Sequence, residues 1–134
     1  MKKRYTIPEL AQMRESEDHV EFKKGEGGNV SYNGKGKDKP NERRRCILDY
    51  VAALCKEGGG RIVIGMYDMC PHAVTETTQC VNGLGQLESN IYRDMGIRPD
   101  VYELYEERTG KRVLVIEISG YPIGLACYPY IPPY

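Results

Sequence analysis

The sequence predicts a single α+β domain. Three patterns support this fold class: a β-branched run bounded by glycines, an amphipathic helix, and two alternating segments around a turn, at residues 58–65, 84–96 and 101–119. A glycine run that ends one helix and leads into a β-branched segment is typical of a helix that feeds a central buried strand. Because binding residues cluster where a strand ends and irregular backbone begins, Asp68 and its loop are the first candidate functional position.

The length and composition are those of one domain without a membrane partner. The chain has 134 residues, and no apolar run approaches the roughly 20 residues that span a bilayer, so we expect a soluble protein. The odd number of cysteines does not favour a closed disulfide framework, which makes a reducing cytoplasm the expected location. The five are Cys46, Cys55, Cys70, Cys80 and Cys127.

The charge is zero overall but unevenly distributed. Residues 23–45 contain eight Lys and Arg residues against three acidic ones, a local excess of five positive charges. Such an excess within a neutral chain indicates an electrostatic footprint for a polyanion, and a solvated basic loop is the alternative.

The N-terminal part predicts a helix followed by a strand. Thr6 can cap a helix that runs to about Arg14. Residues 17–24 then alternate, which places Val20 and Phe22 on one side of an extended segment. The other side carries three ionisable residues, His19, Glu21 and Lys23. The alternative to a site here is an ordinary half-buried strand with a wet polar face.

Residues 25–40 are rich in Gly, Asn, Lys and Ser and predict a mobile basic loop. Asn41 can cap the helix that follows, and Gly58 ends it. Its apolar positions have helical spacing: Ile47, Tyr50, Val51 and Leu54. The first turn then holds the arginines at 43–45, which the helix dipole disfavours unless an anion is bound. We therefore expect a phosphate site at this helix N-terminus.

The C-terminal half predicts a second amphipathic helix, a hairpin and an extended tail. Residues 84–95 have the helical apolar pattern, and Gly96 ends it. Residues 101–107 and 112–119 form the two hairpin strands, the second of them largely covered. From Gly120 the chain is rich in Tyr and Pro, which indicates an edge strand, with base stacking as an alternative.

Three motifs follow one another along the chain: E-S-E…V-E-F-K at residues 15–23, a glycine-ended segment at residues 50–65, and a strand with P-I-G at residues 112–124. Together they resemble the Schlafen AlbA-type domain, a nucleic-acid-binding module. The sequence E-S-E…V-E-F-K at residues 15–23 resembles the E-S-E…E-F-K opening of that family. Residues 50–65 resemble its A-x-A-N-E-G-G-x-x-x-x-G signature, and residues 112–124 resemble its strand followed by P-I-G. The resemblance covers nearly the whole chain. It implies a mixed sheet flanked by helices, one domain over residues 1–134 at the front of a longer protein, and regulatory binding of RNA or DNA.

The resemblance also implies a rival activity, a metal-dependent ribonuclease with a cluster of carboxylates that holds Mg or Mn. Glu21 and Asp68 match two positions of that cluster. If the segment before His19 is extended, Glu17 shares the face of Glu21, because side chains alternate along a strand. We therefore expect Glu17 as the third carboxylate, with Glu15 as the fallback.

The function that the sequence favours is binding of nucleic acid through the basic loop and the helix N-terminus, with no cofactor. Seven residues are expected to contact it: Lys23, Lys35, Lys37, Lys39, Arg43, Arg44 and Arg45. The alternatives are the ribonuclease and a protein-interaction module in which the tail pairs two copies of the chain.

Overall fold

The computed structural model describes residues 3–25, 27–36 and 39–120, except for the side chains of Glu42 and Arg43. These residues form an α+β domain in which helices flank a mixed β-sheet, as the sequence predicts. The elements are α1 (Ile7–Ala11), α2 (Glu15–Asp18), β1 (Val20–Lys23), α3 (Pro40–Arg44), α4 (Ile47–Lys56), β2 (Gly59–Ile64), α5 (Leu84–Met95), β3 (Asp100–Tyr105) and β4 (Arg112–Ser119). No helix within the described ranges is long and apolar enough to cross a membrane.

The sheet has four strands in the order β1-β2-β4-β3. Strands β1 and β2 run parallel, with Val20 opposite Arg61 and Lys23 opposite Ile64. Strand β4 pairs antiparallel with both β2 and β3, so the predicted hairpin is confirmed. The parallel pair brings the carboxyl ends of β1 and β2 to the same end of the sheet.

Apolar side chains cover both faces of the sheet. Ile62 and Ile64 pack on the side of α4 and α5, while Val63 packs with Leu10 and Phe22 on the other side. The alternation of neighbouring strand residues between two cores confirms β2 as a central buried strand. The buried face of α5 carries Leu87, Ile91 and Met95, at the predicted spacing.

The segment before β1 differs from its prediction. The capping box of α1 joins Thr6 and Glu9, but the helix ends at Ala11 rather than Arg14. Residues Glu15–Asp18 then form a helical turn, not an extended segment, because the Asp18 carboxylate accepts from the Arg14 amide at 2.8 Å. His19 closes the turn in the left-handed conformation. The argument that placed Glu17 on the face of Glu21 by strand alternation is therefore wrong.

The helix predicted from Asn41 to Gly58 is two helices. The short α3 ends at Arg44, and α4 begins after Cys46, which serves as its N-cap. The buried face of α4 includes the predicted Ile47, Val51 and Leu54, whereas Tyr50 is only partly buried. The arginines at 43–45 therefore lie outside the first turn of α4, which carries Asp49 instead.

Each of the two edge strands has an outward amide that is bonded to a carboxylate. The Phe22 amide in β1 donates to Glu15 Oε1 at 3.3 Å, and the Val101 amide in β3 donates to Glu88 Oε1 at 3.2 Å. A charged group bonded at an edge opposes the pairing of another strand. The predicted tail from residue 121, proposed as a pairing edge, lies outside the described residues.

Candidate functional site

A groove opens at the carboxyl ends of the parallel strands β1 and β2. Its volume is about 1230 Å³, and ten described residues line it: Phe22, Lys23, Lys24, Gly25, Asn29, Val30, Ser31, Arg45, Tyr50 and Asp68. Crevices beyond the carboxyl ends of parallel strands are common ligand sites, because the chain turns away there and leaves polar loops at the sheet edge. We call this feature the basic groove.

The charge of the basic groove is positive. Lys23, Lys24 and Arg45 line it, against the single carboxylate of Asp68 among the lining residues that the structure describes. Lys23 is the last residue of β1, Lys24 follows it directly, and Arg45 comes from the link between α3 and α4. Three cations from two separate chain segments thus converge on one concave surface.

Lys23 is held in the groove wall by an aromatic ring and a carboxylate. Its Nζ lies 4.5 Å from the ring centroid of Tyr50 and 3.5 Å from Glu21 Oε2. Partial burial works to lower the pKa of Lys23, but Tyr50 and Glu21 outweigh it, so the pKa is raised above its ordinary value. Lys23 is therefore a protonated, partly desolvated cation at neutral pH.

Lys24 has a similar aromatic partner on the loop after β2. Its Nζ lies 5.4 Å from the ring centroid of Tyr67, a distance at which the ring quadrupole attracts a cation. Tyr67 directly precedes the groove-lining Asp68, and its ring is 44% exposed. Both lysines of the groove thus stand beside tyrosine rings.

The part of the groove wall formed by residues 29–31 is fixed by a two-way hydrogen bond. Gln79 Oε1 accepts from the Val30 amide and Gln79 Nε2 donates to the Val30 carbonyl, each at 2.5 Å. Nearby, Thr77 Oγ1 donates to Asn29 Oδ1 at 3.0 Å. A side-chain amide that mimics a strand partner in this way holds the wall in one conformation.

Gln79 is itself held by a buried arginine. Arg112 Nη1 donates to the carbonyls of Thr77 and Gln79, at 3.2 and 2.7 Å, and its Nε donates to Glu103 Oε2 at 2.7 Å. The Arg112 side chain is 6% exposed. A chain of polar contacts therefore runs from β3 and β4 to the groove wall.

The mobility of the loop over residues 25–40 stays a prediction.

The N-terminus of α4 does not form the expected phosphate site. Its first amides are already used: the Ile47 amide donates to the Ser31 carbonyl at 2.8 Å, and the Leu48 amide donates to the Tyr32 carbonyl at 3.0 Å. A helix N-terminus binds an anion through backbone amides that lack hydrogen-bond partners. The Ser31 and Tyr32 carbonyls already accept from two of these amides, which are therefore not available to a phosphate. The sequence placed the phosphate site at a helix that begins at Asn41, and that helix end belongs to the short α3, Pro40–Arg44, rather than to α4.

The basic residues predicted from the sequence are only partly brought together. Lys23 and Arg45 line the basic groove, whereas Lys35, Lys39 and Arg44 are exposed and are not among its lining residues. Lys37 and the side chain of Arg43 lie outside the described part of the chain. The sequence argument missed Lys24 as a contact and treated Tyr50 as a core position.

The acidic residues predicted for a nuclease are spread over several local contacts. Glu17 pairs with Arg14 at 3.6 Å, Glu15 accepts from the Phe22 amide, and Glu21 pairs with Lys23. His, Cys, Asp and Glu side chains in the described ranges form no group of three or more that could hold a metal ion.

Both ring nitrogens of the buried His72 contact backbone carbonyl groups. Its Nδ1 lies 2.9 Å from the Tyr67 carbonyl and its Nε2 lies 3.1 Å from the Met13 carbonyl. The ring also stacks on Phe22, with 3.8 Å between centroids and 11° between planes. His72 therefore supports the loop that carries Tyr67 and Asp68.

No family model and no curated protein matches the chain. Among solved structures, it is similar to the DIP2311 protein from Corynebacterium diphtheriae, with a TM-score of 0.53 and 22% sequence identity over 82% of this chain. The shared property is the fold. The chain spans 22% of the length of that protein, so its α+β architecture corresponds to a part of a larger molecule there.

Proposed function

We propose that this chain binds RNA or DNA through the basic groove. The observation that carries the proposal is the convergence of Lys23, Lys24 and Arg45 on one concave surface, beside Tyr50. Phosphates bind lysine and arginine independently of base sequence, and this electrostatic contact supplies most non-specific affinity. The resemblance to the Schlafen AlbA-type domain supports the same function. We place the protein in the cytoplasm as part of this proposal.

The chemistry of the groove fits a phosphate backbone better than a small apolar ligand. The Lys23 ammonium is protonated and partly buried, and a phosphate would compete for it with Glu21, whose Oε2 lies 3.5 Å from Lys23 Nζ. Asn29 and Ser31 add neutral polar groups to the lining, and the carboxylate of Asp68 repels phosphates. The expected result is a strand that follows the lysines and Arg45.

A salt series on charge variants tests the proposal. Labelled oligonucleotides are titrated by fluorescence anisotropy at several salt concentrations against the wild type, Lys24→Gln and Arg45→Gln. Each variant should bind all sequences more weakly, and the slope of log K against log salt should fall in magnitude by roughly 0.7–0.9 per lost contact. Lys56→Gln is the matched control, because Lys56 is exposed at the far end of α4, next to the start of β2.

Equal affinity and equal slope for Lys24→Gln, Arg45→Gln and Lys56→Gln would overturn the proposal. The ribonuclease alternative has one supporting observation, the position of Asp68 in the same groove. Incubation with tRNA and Mg or Mn tests it beside Glu21→Ala and Asp68→Ala. Cleavage that both substitutions abolish would establish the alternative.

A further inference from the structure

The loop after β2 presents an exposed aromatic ring on a fixed backbone. The Tyr67 amide donates to the Ala73 carbonyl at 2.9 Å, and the Tyr67 carbonyl lies 2.9 Å from His72 Nδ1. His72 is anchored in turn by its stack on Phe22. The ring of Tyr67 is nevertheless 44% exposed, although the neighbouring Met66 is fully buried. The backbone that carries this exposed side chain is therefore ordered before any ligand arrives, which lowers the entropy cost of binding at this position.

Tyr67 is not among the lining residues of the basic groove, but it is next to two of them. Lys24, which lines the groove, stands 5.4 Å from the Tyr67 centroid, and Asp68, which also lines it, is the next residue. Lys23, in turn, stands 4.5 Å from Tyr50, another lining residue. Each of the two groove lysines is therefore paired with a tyrosine ring.

We propose that the basic groove selects a single, unpaired strand and that a base stacks on Tyr67. This inference rests on the proposed function and names its substrate class. A phosphate draws Lys24 away from the ring, which leaves an aromatic face beside the bound backbone. Base faces are accessible in an unpaired strand and hidden inside a duplex. A duplex would engage the lysines and leave Tyr67 without a partner.

A single tryptophan reports the stacking directly. The chain contains no Trp, so Tyr67→Trp introduces a unique fluorophore at the proposed stacking position. The probes are a 12-nucleotide oligo-U, a 12-nucleotide oligo-dT and a blunt duplex of the same length. The single strands should quench the Trp emission and bind at least tenfold more tightly than the duplex, which should leave the emission unchanged.

A matched pair of substitutions separates stacking from charge. Tyr67→Leu should weaken single-strand binding by roughly 5- to 150-fold, the range for one lost base–aromatic stack, and leave the salt slope unchanged. Tyr67→Phe should retain the affinity. Tyr92→Leu is the control, since Tyr92 is 51% exposed and stands 4.8 Å from the Arg98 guanidinium on another part of the surface.

The outcomes distinguish the two proposals. Binding that depends on Lys24 and Arg45, with equal affinity for duplex and single strand and with Tyr67→Leu equal to Tyr92→Leu, overturns the single-strand inference alone. The absence of binding to all three probes overturns the proposed function and the inference with it.

Discussion

Gln79 should be the side chain on which the groove wall most depends. In the wild type, the Val30 amide and the Val30 carbonyl each have one Gln79 side-chain partner at 2.5 Å. Gln79→Met keeps the length of the side chain but removes both of these hydrogen bonds. A buried donor or acceptor that is left without a partner costs about 1–3 kcal/mol, so the two together predict a loss of about 2–6 kcal/mol in the free energy of unfolding. Val30 is 9% exposed, which limits rescue by water.

Urea unfolding measures this loss, and amide hydrogen exchange locates it. The Val30 amide should exchange faster in Gln79→Met, and affinity for oligonucleotides should fall with it. The control is Gln86→Met, because the exposed Gln86 side chain makes one hydrogen bond, to Asn90 at 2.8 Å. It should change stability by less than about 0.5 kcal/mol. An unchanged exchange rate at Val30 with unchanged unfolding would refute the reasoning.

Two further predictions concern the loop and the buried arginine. Gly25→Ala should destabilise the protein far more than Gly27→Ala. Both glycines have positive φ, but a β-carbon at Gly25 would lie 2.5 Å from the Asn29 amide nitrogen, whereas none of the described atoms comes within 4 Å of a β-carbon at Gly27. Equal losses of thermal stability in the two variants would contradict this prediction. The hydrogen bond from Arg112 lowers the pKa of Glu103 below its ordinary 4.5, so its stabilising effect is present above pH 4.5 and is lost as the pH falls through the lowered value. Glu103→Gln should therefore flatten the acid side of the stability profile in urea unfolding, and a profile identical to the wild type would count against the pair.

Much of the fold was predictable because the decisive signals are local. The capping box at Thr6 and Glu9 and the left-handed Gly96 after α5 follow from adjacent residues. The β-branched run between glycines identified β2, since its two faces both had to be covered. Local sequence was sufficient for these elements.

The start of α4 was not predictable in the same way. Its N-cap, Cys46, makes no side-chain cap bond, and the carbonyls of residues 31 and 32 satisfy the first amides instead. Those contacts join residues that are sixteen positions apart, so the apolar spacing defined the buried face of the helix but not its first residue. The expected extended segment at Glu17 failed for a related reason, because the Asp18 side chain closes a turn that alternation does not reveal.

The sequence predicted the positive charge of the candidate site but not all of the residues that form it. An excess of basic residues in 23–45 pointed to Lys23 and Arg45, which do line the groove. Lys24 and Tyr67 come together through the parallel pairing of β1 with β2, which brings two strand ends to one edge of the sheet. No sequence pattern indicated that Tyr67, the residue before Asp68, would be part of this site.

The location of the bound strand tests the central claim most directly. Backbone amide chemical shifts of the 15.2 kDa chain are followed by NMR during titration with oligo-U and oligo-dT. We predict the largest shifts at Lys24, Gly25, Arg45 and Asp68, at the carboxyl ends of β1 and β2. Shifts clustered instead around Lys56, at the opposite end of α4, would contradict the assignment of the basic groove as the binding site.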